Sequence, residues 1–378
     1  QIEFFGELAP FDRYLFLGLA VGEGYGGLEH RASTSLVAAR RDLPAPGMGK
    51  PADDYVGFLG LASHEYFHSW NVKRIKPAAF IPYDLAREAY TRQLWAFEGI
   101  TSYYDDLALL KSGVVDVERW LELVGRTATT VLRTPGRALQ SLADASFDAW
   151  IKHYRPDENT PNASISYYAK GALVALALDL TLRNHGSSLD ALMRELWRRH
   201  GQTGIGVPED GLRAIAEALA GRDLATFFDA YVEGTDELPL AQLLATHGVA
   251  LGLRPTQGVK DRGGKRANGD LPRVTLGATV GPDLKLQHVH LGGAAERAGL
   301  AAGDALVALD GLKATADRLD AYARDAQPGD RIAVHAFRRD ELIEATLVLD
   351  AAPDDTAFLS LDADASPQAA ALRERWLA

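Results

Sequence analysis

The chain contains no cysteine and only two methionines among its 378 residues. Without cysteine it can form no disulfide bond and offers no thiolate ligand, so any bound metal ion must be held by histidine and carboxylate side chains. The absence of cysteine does not by itself indicate a cellular compartment.

Long apolar runs and an excess of positive charge are missing as well. No apolar run reaches the roughly 18 residues that a membrane-spanning helix needs, and the longest, residues 172–180, is typical of a buried helix. The 40 Lys and Arg residues against 51 Asp and Glu give a net charge of −11. This balance argues against a nucleic-acid or anionic-membrane partner, whereas cationic or zwitterionic peptides would be tolerated.

The remaining composition is that of a globular protein. Apolar residues make up 47% of the chain and charged residues 24%, and both fractions are typical of soluble domains. A chain of 378 residues is too long for a single core, so we expect two or three domains.

The strongest functional signal is the sequence H-E-Y-F-H at residues 64–68. Residues four apart lie on one face of an α-helix, so His64 and His68 can direct two imidazoles at one metal ion. Glu65 follows the first of them and can reach a water molecule at the same ion. The pattern H-E-x-x-H on a helix is typical of zinc peptidases, in which the glutamate is the general base.

A zinc site of this kind needs a third protein ligand and one open position. The sequence LWAFEGITSYY at residues 94–104 indicates a second helical segment with a single Glu in an otherwise apolar and aromatic face. A buried carboxylate is costly unless it is paired or bound to a metal ion. Glu98 is therefore the predicted third ligand, with a helix-surface carboxylate as the alternative.

With these residues the chain resembles the glycyl aminopeptidase family of gluzincin zinc metallopeptidases. The 29 residues between His68 and Glu98 favour this family, because the larger alanyl and leucyl aminopeptidase families have a shorter gap there. The resemblance implies one Zn²⁺ per chain and removal of small N-terminal residues, such as Gly or Ala, from peptides. It covers most of the chain and is carried by four segments: YGGLEH at 25–30, HEYFHSWNVKRIKP at 64–77, LWAFEGITSYY at 94–104 and YYAKG at 167–171.

Peptide hydrolysis at neutral pH needs an activated water molecule and a group that stabilises the oxyanion. Zinc lowers the pKa of such a water towards about 7, and Glu65 would take its proton and pass it to the leaving amine. The segment at 167–171 resembles the aminopeptidase Y-x-K-G segment, whose Tyr faces the zinc, which implies Tyr168 as the oxyanion donor. Tyr167 remains an alternative, because neighbours on a helix point about 100° apart and only one can face the site.

An aminopeptidase must also bind the free ammonium group of its substrate, and a carboxylate does so by charge-assisted hydrogen bonds. The sequence GGLEH at residues 26–30 resembles the G-x-M-E-N exopeptidase motif, although its Met and Asn are replaced here. The resemblance implies Glu29 as the amine-binding carboxylate. Gly26 and Gly27 would allow close approach of the substrate to the backbone. The alternative for Glu29 is an ordinary loop carboxylate.

The polar residues after the H-E-x-x-H motif, Asn71, Lys73, Arg74 and Lys76, have less specific interpretations. A basic side chain among them either receives a substrate carboxylate, orients Glu98 or belongs to a solvated face.

Two acidic residues, Asp105 and Asp106, follow Glu98 and are candidate hydrogen-bond partners of a ligand histidine, with exposed carboxylates as the alternative. The other histidines that we considered lack ligand spacing. We predict surface or packing roles for His153, His185, His200 and His247.

The composition changes after residue 240. Residues 246–352 are rich in Val, Leu and Gly with strand-like alternation, and GGAAERAGL at 292–300 resembles bacterial PDZ domains. Such a domain adds a C-terminal peptide as a strand to a sheet edge and binds its carboxylate with backbone N–H groups. Its ligand could be a substrate, another protein or the chain's own C-terminus, with residues 316–326 as the groove helix. The resemblance implies a carboxylate-binding loop at Leu276, Gly277 and Ala278.

The apolar spacing predicts an edge strand near residues 27–30 and, among others, helices over 55–71, 85–112, 116–131 and 208–232, with a short C-terminal helix over 367–377. The predicted fold class is α+β. It comprises a thermolysin-like zinc-peptidase core over 1–112, a mainly helical subdomain that completes the cleft over 113–240, a PDZ β-sandwich-like domain over 246–352 and a tail over 353–378. Members of the resembled family place a β-rich domain before the catalytic part, and we expect one, with any signal peptide, to precede residue 1. The PDZ type favours a bacterial periplasmic or secreted protein over a cytoplasmic one. The functional alternatives are a zinc endopeptidase of the same fold and a catalytically silent peptide-binding scaffold.

Overall fold

The computed structural model describes residues 1–258 and 260–378. Val259, inside the predicted PDZ range, lies outside the described residues. Helices and strands are mixed, as the predicted α+β class requires, and within these two ranges no helix is both long and apolar enough to cross a membrane. The helices are α1 (Ile2–Phe5), α2 (Asp53–Phe67), α3 (Ile100–Lys111), α4 (Val117–Leu132), α5 (Leu142–Phe147), α6 (Thr160–Ala163), α7 (Ala169–Asn184), α8 (Leu189–Leu196), α9 (Gly211–Ala220), α10 (Ala225–Phe228), α11 (Leu240–Thr246), α12 (Ala294–Arg297), α13 (Ala316–Asp325) and α14 (Pro367–Leu377).

The strands form several small sheets instead of one large sheet. The order is β1-β3-β2 near the N-terminus and β11-β10-β8-β9 in the last third of the chain, and three strand pairs join β12 to β5, β13 to β4 and β6 to β7. The strands are β1 (Leu15–Val21), β2 (Tyr25–Glu29), β3 (Ser33–Ala39), β4 (Val249–Arg254), β5 (Val274–Thr275), β6 (Ala278–Val280), β7 (Leu286–Val289), β8 (Ala305–Leu309), β9 (Leu312–Lys313), β10 (Arg331–Arg338), β11 (Glu341–Val348), β12 (Asp350–Ala351) and β13 (Thr356–Leu361).

The N-terminal sheet packs against helix α2. Its central strand β3 runs parallel to β1 and antiparallel to β2. Alternate side chains of β3, those of Thr34, Leu36 and Ala38, are buried, as expected for a strand with one face on a core. Strand β2 lies along α2, so the edge strand predicted near residues 27–30 is observed at Tyr25–Glu29, beside the H-E-x-x-H helix.

Helix α2 carries the H-E-x-x-H motif in its last turn. The predicted helix covered 55–71, whereas the observed one begins at Asp53 and ends at Phe67, with His68 as its C-cap. Acidic residues in the first turn, Asp53 and Asp54, complement the positive end of the helix dipole.

The helix predicted over 85–112 begins only at Trp95. It opens with a π-helical turn, Trp95–Gly99, which continues into α3. The backbone N–H of Gln93 donates to Thr91 Oγ1 at 3.2 Å in the turn before it, and the N-cap residue Leu94 makes no side-chain capping hydrogen bond. Residues 85–94, which precede this turn, do not form the predicted helix, and the spacing of their apolar residues did not indicate its late start.

The helix predicted over 208–232 is divided in two. Helix α9 ends at Gly221, which adopts a left-handed conformation with φ 64°. Glycine reaches this conformation without steric cost and is the usual residue after a helix C-terminus. The next helix, α10, begins at Ala225.

Buried side chains form two separate cores. The first joins most of the helices with β4, β13 and α14. The second is formed by buried residues between Val274 and Leu349. The predicted PDZ range begins at residue 246, but Val249 on β4 is 0% exposed and packs in the first core. The assignment of the second core to a PDZ domain stays a prediction.

Helix α14 coincides with the predicted short C-terminal helix and returns the chain end to the first core. Trp376 is fully buried, its ring centroid lies 5.2 Å from that of Trp120, and its Nε1 donates to the Tyr103 hydroxyl at 2.9 Å. The Ala378 backbone oxygen accepts from Lys111 Nζ at 2.6 Å. The C-terminus that was considered as a PDZ self-ligand therefore lies against α3 here.

Candidate metal centre

Three side chains from two helical segments converge at the end of α2. His64 Nε2 lies 3.3 Å from Glu98 Oε2, and His68 Nε2 lies 3.2 Å from the same oxygen. One potential ligand atom from each residue lies within 4.8 Å of the other two. The α-helical spacing supplies the two histidines and the π-helical turn supplies Glu98, so the structure brings together the three predicted metal ligands.

The other nitrogen of each imidazole has an acceptor. His64 Nδ1 lies 3.0 Å from Asp105 Oδ2, and His68 Nδ1 lies 2.8 Å from the Asn71 backbone oxygen. When both imidazoles are neutral, as metal binding requires, Nδ1–H donation to these acceptors leaves the Nε2 lone pairs directed at a shared point. Of the two acidic candidates, Asp105 is the histidine partner, whereas Asp106 lines a small internal cavity beside Trp120.

Glu65 lies next to this point and packs against the edge strand. A Cβ atom at Gly27 on β2 would clash with the Glu65 carboxylate, so a side chain at this position would displace that carboxylate. Glu65 is 4% exposed, and its Oε2 has no hydrogen-bond partner among the described residues. A buried carboxylate oxygen without a partner is costly, and a water molecule at a metal ion would satisfy it. Two imidazoles, one carboxylate and this free oxygen fit a zinc ion with an open position.

Burial and the charges of neighbouring groups have opposing effects on the pKa values of Glu65, Glu98 and His64. Burial raises the pKa of Glu65, and the neighbouring imidazoles of His68 and His64 oppose the rise. Burial would also raise the pKa of Glu98, but the charges and hydrogen bonds of His68 and His64 hold it well below its usual range. Burial lowers the pKa of His64, yet hydrogen bonds with Asp105 and Glu98 outweigh it and raise that pKa to about 10. The pKa values of the two carboxylates in the centre, Glu98 and Glu65, are therefore shifted in opposite directions.

Glu29 lies near the centre and is already paired with an ammonium group. Lys73 Nζ is 3.0 Å from Glu29 Oε1, and both side chains are largely shielded from solvent. Glu29 is close enough to contribute to the raised pKa of Glu65. The predicted amine-binding carboxylate thus lies near Glu65, with Gly26 and Gly27 on the same strand, and its binding role stays a prediction.

The other basic candidates have separate contacts. The Arg74 guanidinium donates to the backbone oxygens of Arg31, Ser69 and Pro10, and so joins three loops. Lys76 Nζ lies 5.3 Å from the ring centroid of Tyr83. Neither contact orients Glu98, which was one of the interpretations of these residues.

The two tyrosines before α7 differ in environment. Tyr168 is half-buried with its ring centroid 6.2 Å from that of His64, whereas Tyr167 is 1% exposed. The hydroxyls of Tyr168 and Tyr167 lie 3.4 Å and 3.3 Å from that of Tyr154. Burial, followed by the charge of Glu98, raises the pKa of Tyr168, which keeps its hydroxyl protonated. Of the two, Tyr168 is the one beside the metal ligands.

A contact between two glycines holds α7 against the Glu98 turn. A Cβ atom at Gly99 would lie 2.5 Å from the Cα of Gly171, and one at Gly171 would lie 2.9 Å from the Cα of Gly99. These distances are too short for any side chain. The glycine of the Y-x-K-G segment therefore permits the close approach that brings Tyr168 to the site.

His153 packs beside the two tyrosines, in agreement with the surface or packing role predicted for it. Its ring centroid lies 4.8 Å from that of Tyr167 and 5.5 Å from that of Tyr168. Burial lowers its pKa, while the nearby charge of Glu98 opposes the effect. The segment around His153 carries no motif, so its contact with these two tyrosines could not be predicted from the sequence.

The other three histidines have local contacts that agree with the packing or surface prediction. His185 Nε2 lies 3.3 Å from Arg222 Nη1, and His200 Nδ1 lies 3.0 Å from the Ile205 backbone oxygen. His247 is fully buried, with its ring 5.7 Å from that of Trp376.

The loop predicted to bind a peptide carboxylate is held by contacts within the second core. The Gly277 backbone N–H donates to Thr275 Oγ1 at 3.1 Å, and the Leu276 oxygen accepts from the Ala295 N–H at 2.8 Å. Ala278 begins β6, and the predicted groove helix is observed as α13. The binding role of the loop stays a prediction.

Comparison with known proteins gives a match to a family model and a structural match over the full length of this chain. A model of the M61 glycyl aminopeptidase family matches residues 57–174, which include the converging side chains and Tyr168. No curated protein matches the chain. Among solved structures, the chain is similar to the aminopeptidase N family protein from Idiomarina loihiensis, with 40% identity and a TM-score of 0.93. The match covers 100% of this chain and 64% of that one.

Two further structural matches are local. They are the HtrA-type protease AlgW with decapeptide, with a TM-score of 0.21, and the serine endoprotease from Yersinia pestis, with a TM-score of 0.20. Each has 23% identity and covers 22% of this chain and 30% of its own chain. Likenesses this weak indicate neither a shared fold nor a shared ligand. The resemblance predicted from the sequence is thus confirmed as a glycyl aminopeptidase match over residues 57–174, within a fold that the chain shares along its whole length with the Idiomarina protein.

Proposed function

We propose that this chain is a zinc-dependent aminopeptidase that removes N-terminal residues, small ones such as Gly or Ala, from peptides. The observation that carries the proposal is the convergence of His64 Nε2, His68 Nε2 and Glu98 Oε2 beside the unpartnered Glu65 carboxylate. The M61 family match and the aminopeptidase-family structural neighbour support a peptidase reaction.

Glu65 is the proposed general base and acid. A zinc ion held by His64, His68 and Glu98 would supply a Lewis acid at the scissile carbonyl and a lower pKa for the attacking water. Glu65 accepts a proton from that water as the new C–O bond forms. It then donates the proton to the leaving amine as the C–N bond breaks, which returns the carboxylate to its starting state. The raised pKa of Glu65 favours its protonated stage.

Tyr168 is the proposed donor to the oxyanion. Its position beside His64 and its raised pKa support this role, because a protonated hydroxyl can donate where negative charge develops. A donor of this kind contributes roughly 3–4 kcal/mol to transition-state stabilisation. The burial of Tyr167 in the core supports the choice between the two tyrosines.

Glu29 is the proposed anchor of the substrate ammonium group. The Lys73 ammonium already occupies this carboxylate at 3.0 Å, which supports a site suited to an ammonium group. A substrate amine would replace Lys73 at Glu29. An endopeptidase, the alternative, would bind substrates equally well with a free or an acetylated N-terminal amine. N-acetylated substrates therefore distinguish an endopeptidase from an aminopeptidase.

The second core is a proposed PDZ domain that binds a C-terminal peptide or protein at Leu276, Gly277 and Ala278. The helix α13 at the predicted groove position supports it. A periplasmic or secreted location rests on the same resemblance to bacterial PDZ domains. A silent peptide-binding scaffold, the other alternative, gives no reason for the complete set of metal ligands and base.

The decisive experiment compares Gly- and Ala-arylamides with their N-acetylated forms, using zinc-loaded wild type, Glu65→Gln and Glu29→Gln. We expect wild type to cleave only the free-amine substrates. Glu65→Gln should lower kcat by about 10²–10⁴-fold with zinc still bound, and Glu29→Gln should act mainly by raising KM for free-amine substrates.

Equal cleavage of the acetylated substrates by wild type would establish the endopeptidase alternative. A folded, zinc-loaded wild type that cleaves neither set would contradict the catalytic proposal for this chain and leave the scaffold alternative.

A further inference from the structure

Asn71 contacts both segments that supply metal ligands. It follows His68 by three residues and is 1% exposed. Its backbone oxygen accepts from His68 Nδ1 at 2.8 Å. Its side-chain Nδ2 reaches the π-helical turn of Glu98, at 3.1 Å from the Ala96 oxygen and 3.2 Å from the Phe97 oxygen. One buried residue therefore orients a ligand on α2 and holds the backbone that carries the ligand from the other segment.

The surroundings fix the orientation of the Asn71 amide. Besides the two carbonyl oxygens, Nδ2 lies 3.1 Å from Thr101 Oγ1. The Thr101 hydroxyl directs its own hydrogen to the Phe97 oxygen at 2.6 Å, so it can only accept from Asn71. All three neighbours need a donor, and an amide NH₂ supplies two hydrogens to share among them. The opposite amide orientation would place an oxygen against two carbonyls.

The chain adopts an unusual turn directly after Asn71. Val72 has φ 99°, a region that a β-branched residue rarely adopts. The turn is closed by the Val72 N–H to the Ile75 oxygen at 2.9 Å and by the Ile75 N–H to the Trp70 oxygen at 2.8 Å. A conformation of this kind costs on the order of 1–3 kcal/mol and persists only where the surroundings enforce it. The turn directs the chain away from α2 while the Asn71 oxygen stays at His68.

We infer that Asn71 is a positioning residue that sets the separation between the imidazole of His68 and the carboxylate of Glu98. Its backbone oxygen selects the tautomer of His68, and its amide holds the two carbonyls that immediately precede Glu98. The inference rests on the proposed zinc site, and it adds a residue that touches neither metal nor substrate. Loss of such hydrogen-bond partners typically lowers metal affinity by 10–100-fold.

The test measures zinc affinity by competition with a chromophoric chelator, independently of turnover. We expect Asn71→Ala to raise the zinc Kd by about 10–100-fold. Asn71→Asp should raise it at least as much, because a carboxylate of the same shape cannot donate to the two carbonyls. The visible spectrum of Co²⁺-loaded protein should change in both variants, since it reports ligand geometry.

Asn162→Ala is the matched control. Asn162 is also buried, at 7% exposed, and its amide also pairs with backbone, through the Val289 oxygen at 2.8 Å and the Leu291 N–H at 3.0 Å. It contacts no metal ligand, so its replacement should lower thermal stability while zinc Kd and the Co²⁺ spectrum stay as in wild type. If Asn71→Ala lowers stability in the same way but binds zinc with wild-type affinity, Asn71 is merely structural and the inference is wrong.

Thr101→Val keeps the test decisive if Asn71→Ala does not fold. It removes one acceptor of the Asn71 amide and retains the side-chain volume, so a several-fold rise in zinc Kd is expected and an unchanged Kd contradicts the inference. A wild-type protein that binds no zinc would instead overturn the proposed zinc site and the inference with it. Intact zinc affinity in all variants, with an active wild type, overturns the inference alone.

Discussion

The carboxylate of Glu65 lies directly against the backbone of β2 at Gly27. A general base must reach both the attacking water and the leaving amine, and a loosely held side chain would reach neither reproducibly. The backbone of β2 at Gly27 restricts the positions that the Glu65 carboxylate can adopt. The absence of a side chain at position 27 is therefore part of the catalytic geometry as well as a condition for substrate approach.

This contact predicts that Gly27→Ala affects activity more than stability. The new Cβ would collide with the far end of a flexible side chain, which can move away at little cost to folding. The displaced carboxylate should lower kcat/KM by about 100-fold, as expected for a misplacement of about 1 Å, while zinc affinity is retained because the ligands are not touched. Steady-state kinetics and zinc titration of the same preparation would check this.

Gly18→Ala provides the matched control. Gly18 lies on β1, the other edge strand of the same sheet, where an added Cβ meets nothing within 4 Å. It should behave as wild type in both measurements. Equal activity of the two variants would show that the Glu65 carboxylate is not positioned by this strand.

The site residues that could be predicted from the sequence are those whose geometry is local. His64, Glu65 and His68 follow from one helical turn, and Glu98 follows from an isolated carboxylate in an apolar segment. The contacts of His153 and of the Asn71 amide join residues distant in sequence or depend on the shape of a turn. Such contacts leave no spacing pattern, so sequence reasoning could not assign them.

At the scale of elements, two backbones in close contact determine where Tyr168 lies. The π-helical turn of Glu98 and helix α7 approach each other at Gly99 and Gly171, where neither can carry a side chain. Backbone atoms cannot move aside as a flexible side chain can. Separation of these elements would also separate Tyr168 from the metal ligands.

We therefore predict that Gly171→Ala both destabilises the protein and impairs catalysis. Forced separation of packed backbones should lower the free energy of unfolding by about 1–3 kcal/mol, although alanine is intrinsically the better helix former. The accompanying shift of Tyr168 should lower kcat. Chemical denaturation followed by circular dichroism gives the first quantity, and kinetics under conditions where the variant is folded gives the second.

Gly57→Ala should change stability in the opposite direction. Gly57 is an exposed residue of α2 with nothing within 4 Å of its added Cβ. Replacement by alanine there should raise the free energy of unfolding by about 0.5–1 kcal/mol, because only helix propensity changes. Stabilisation by both substitutions would disprove the close contact.

The elements themselves were predictable where periodicity and caps agree. Helix α4 was predicted over 116–131 and is observed at Val117–Leu132, where Asp116 caps its N-terminus through the Arg119 N–H. The predictions failed where a single contact or residue overrides periodicity, as at the late start of the helix at Trp95 and the break at Gly221. The π-helical form of the Glu98 turn depends on tertiary contacts and has no sequence signature that we could use.

At the scale of the whole molecule, the metal ligands and the predicted peptide-binding loop belong to different cores. His64, His68 and Glu98 lie within the helices of the first core, whereas Leu276 packs on the second. The described contacts between them include the paired hydrogen bonds of Asn162 with the end of β7. Because each core buries its own apolar side chains, local opening of one need not open the other.

This division predicts a spatially restricted effect of zinc on backbone dynamics. Zinc stabilises only those states in which the site is intact, by RT ln(1 + [Zn]/Kd), or about 4 kcal/mol at 1,000 times Kd. Bound zinc should therefore suppress local unfolding events that separate α2 from the segment Trp95–Lys111. Openings confined to the β10–β11 hairpin leave the site intact and should be unaffected. Hydrogen exchange followed by mass spectrometry, with and without zinc, should show slower exchange in α2 and Trp95–Lys111 and no change in β10 and β11.

Glu98→Gln supplies the control for this measurement, because its amide weakens zinc binding while retaining the shape of the side chain. Added zinc should then protect α2 far less than in wild type, which excludes non-specific binding to surface carboxylates. Equal protection of β10 and β11 in wild type would show that both cores open as one unit. In that case a ligand on the second core could alter the metal centre through global stability, without any specific path between them.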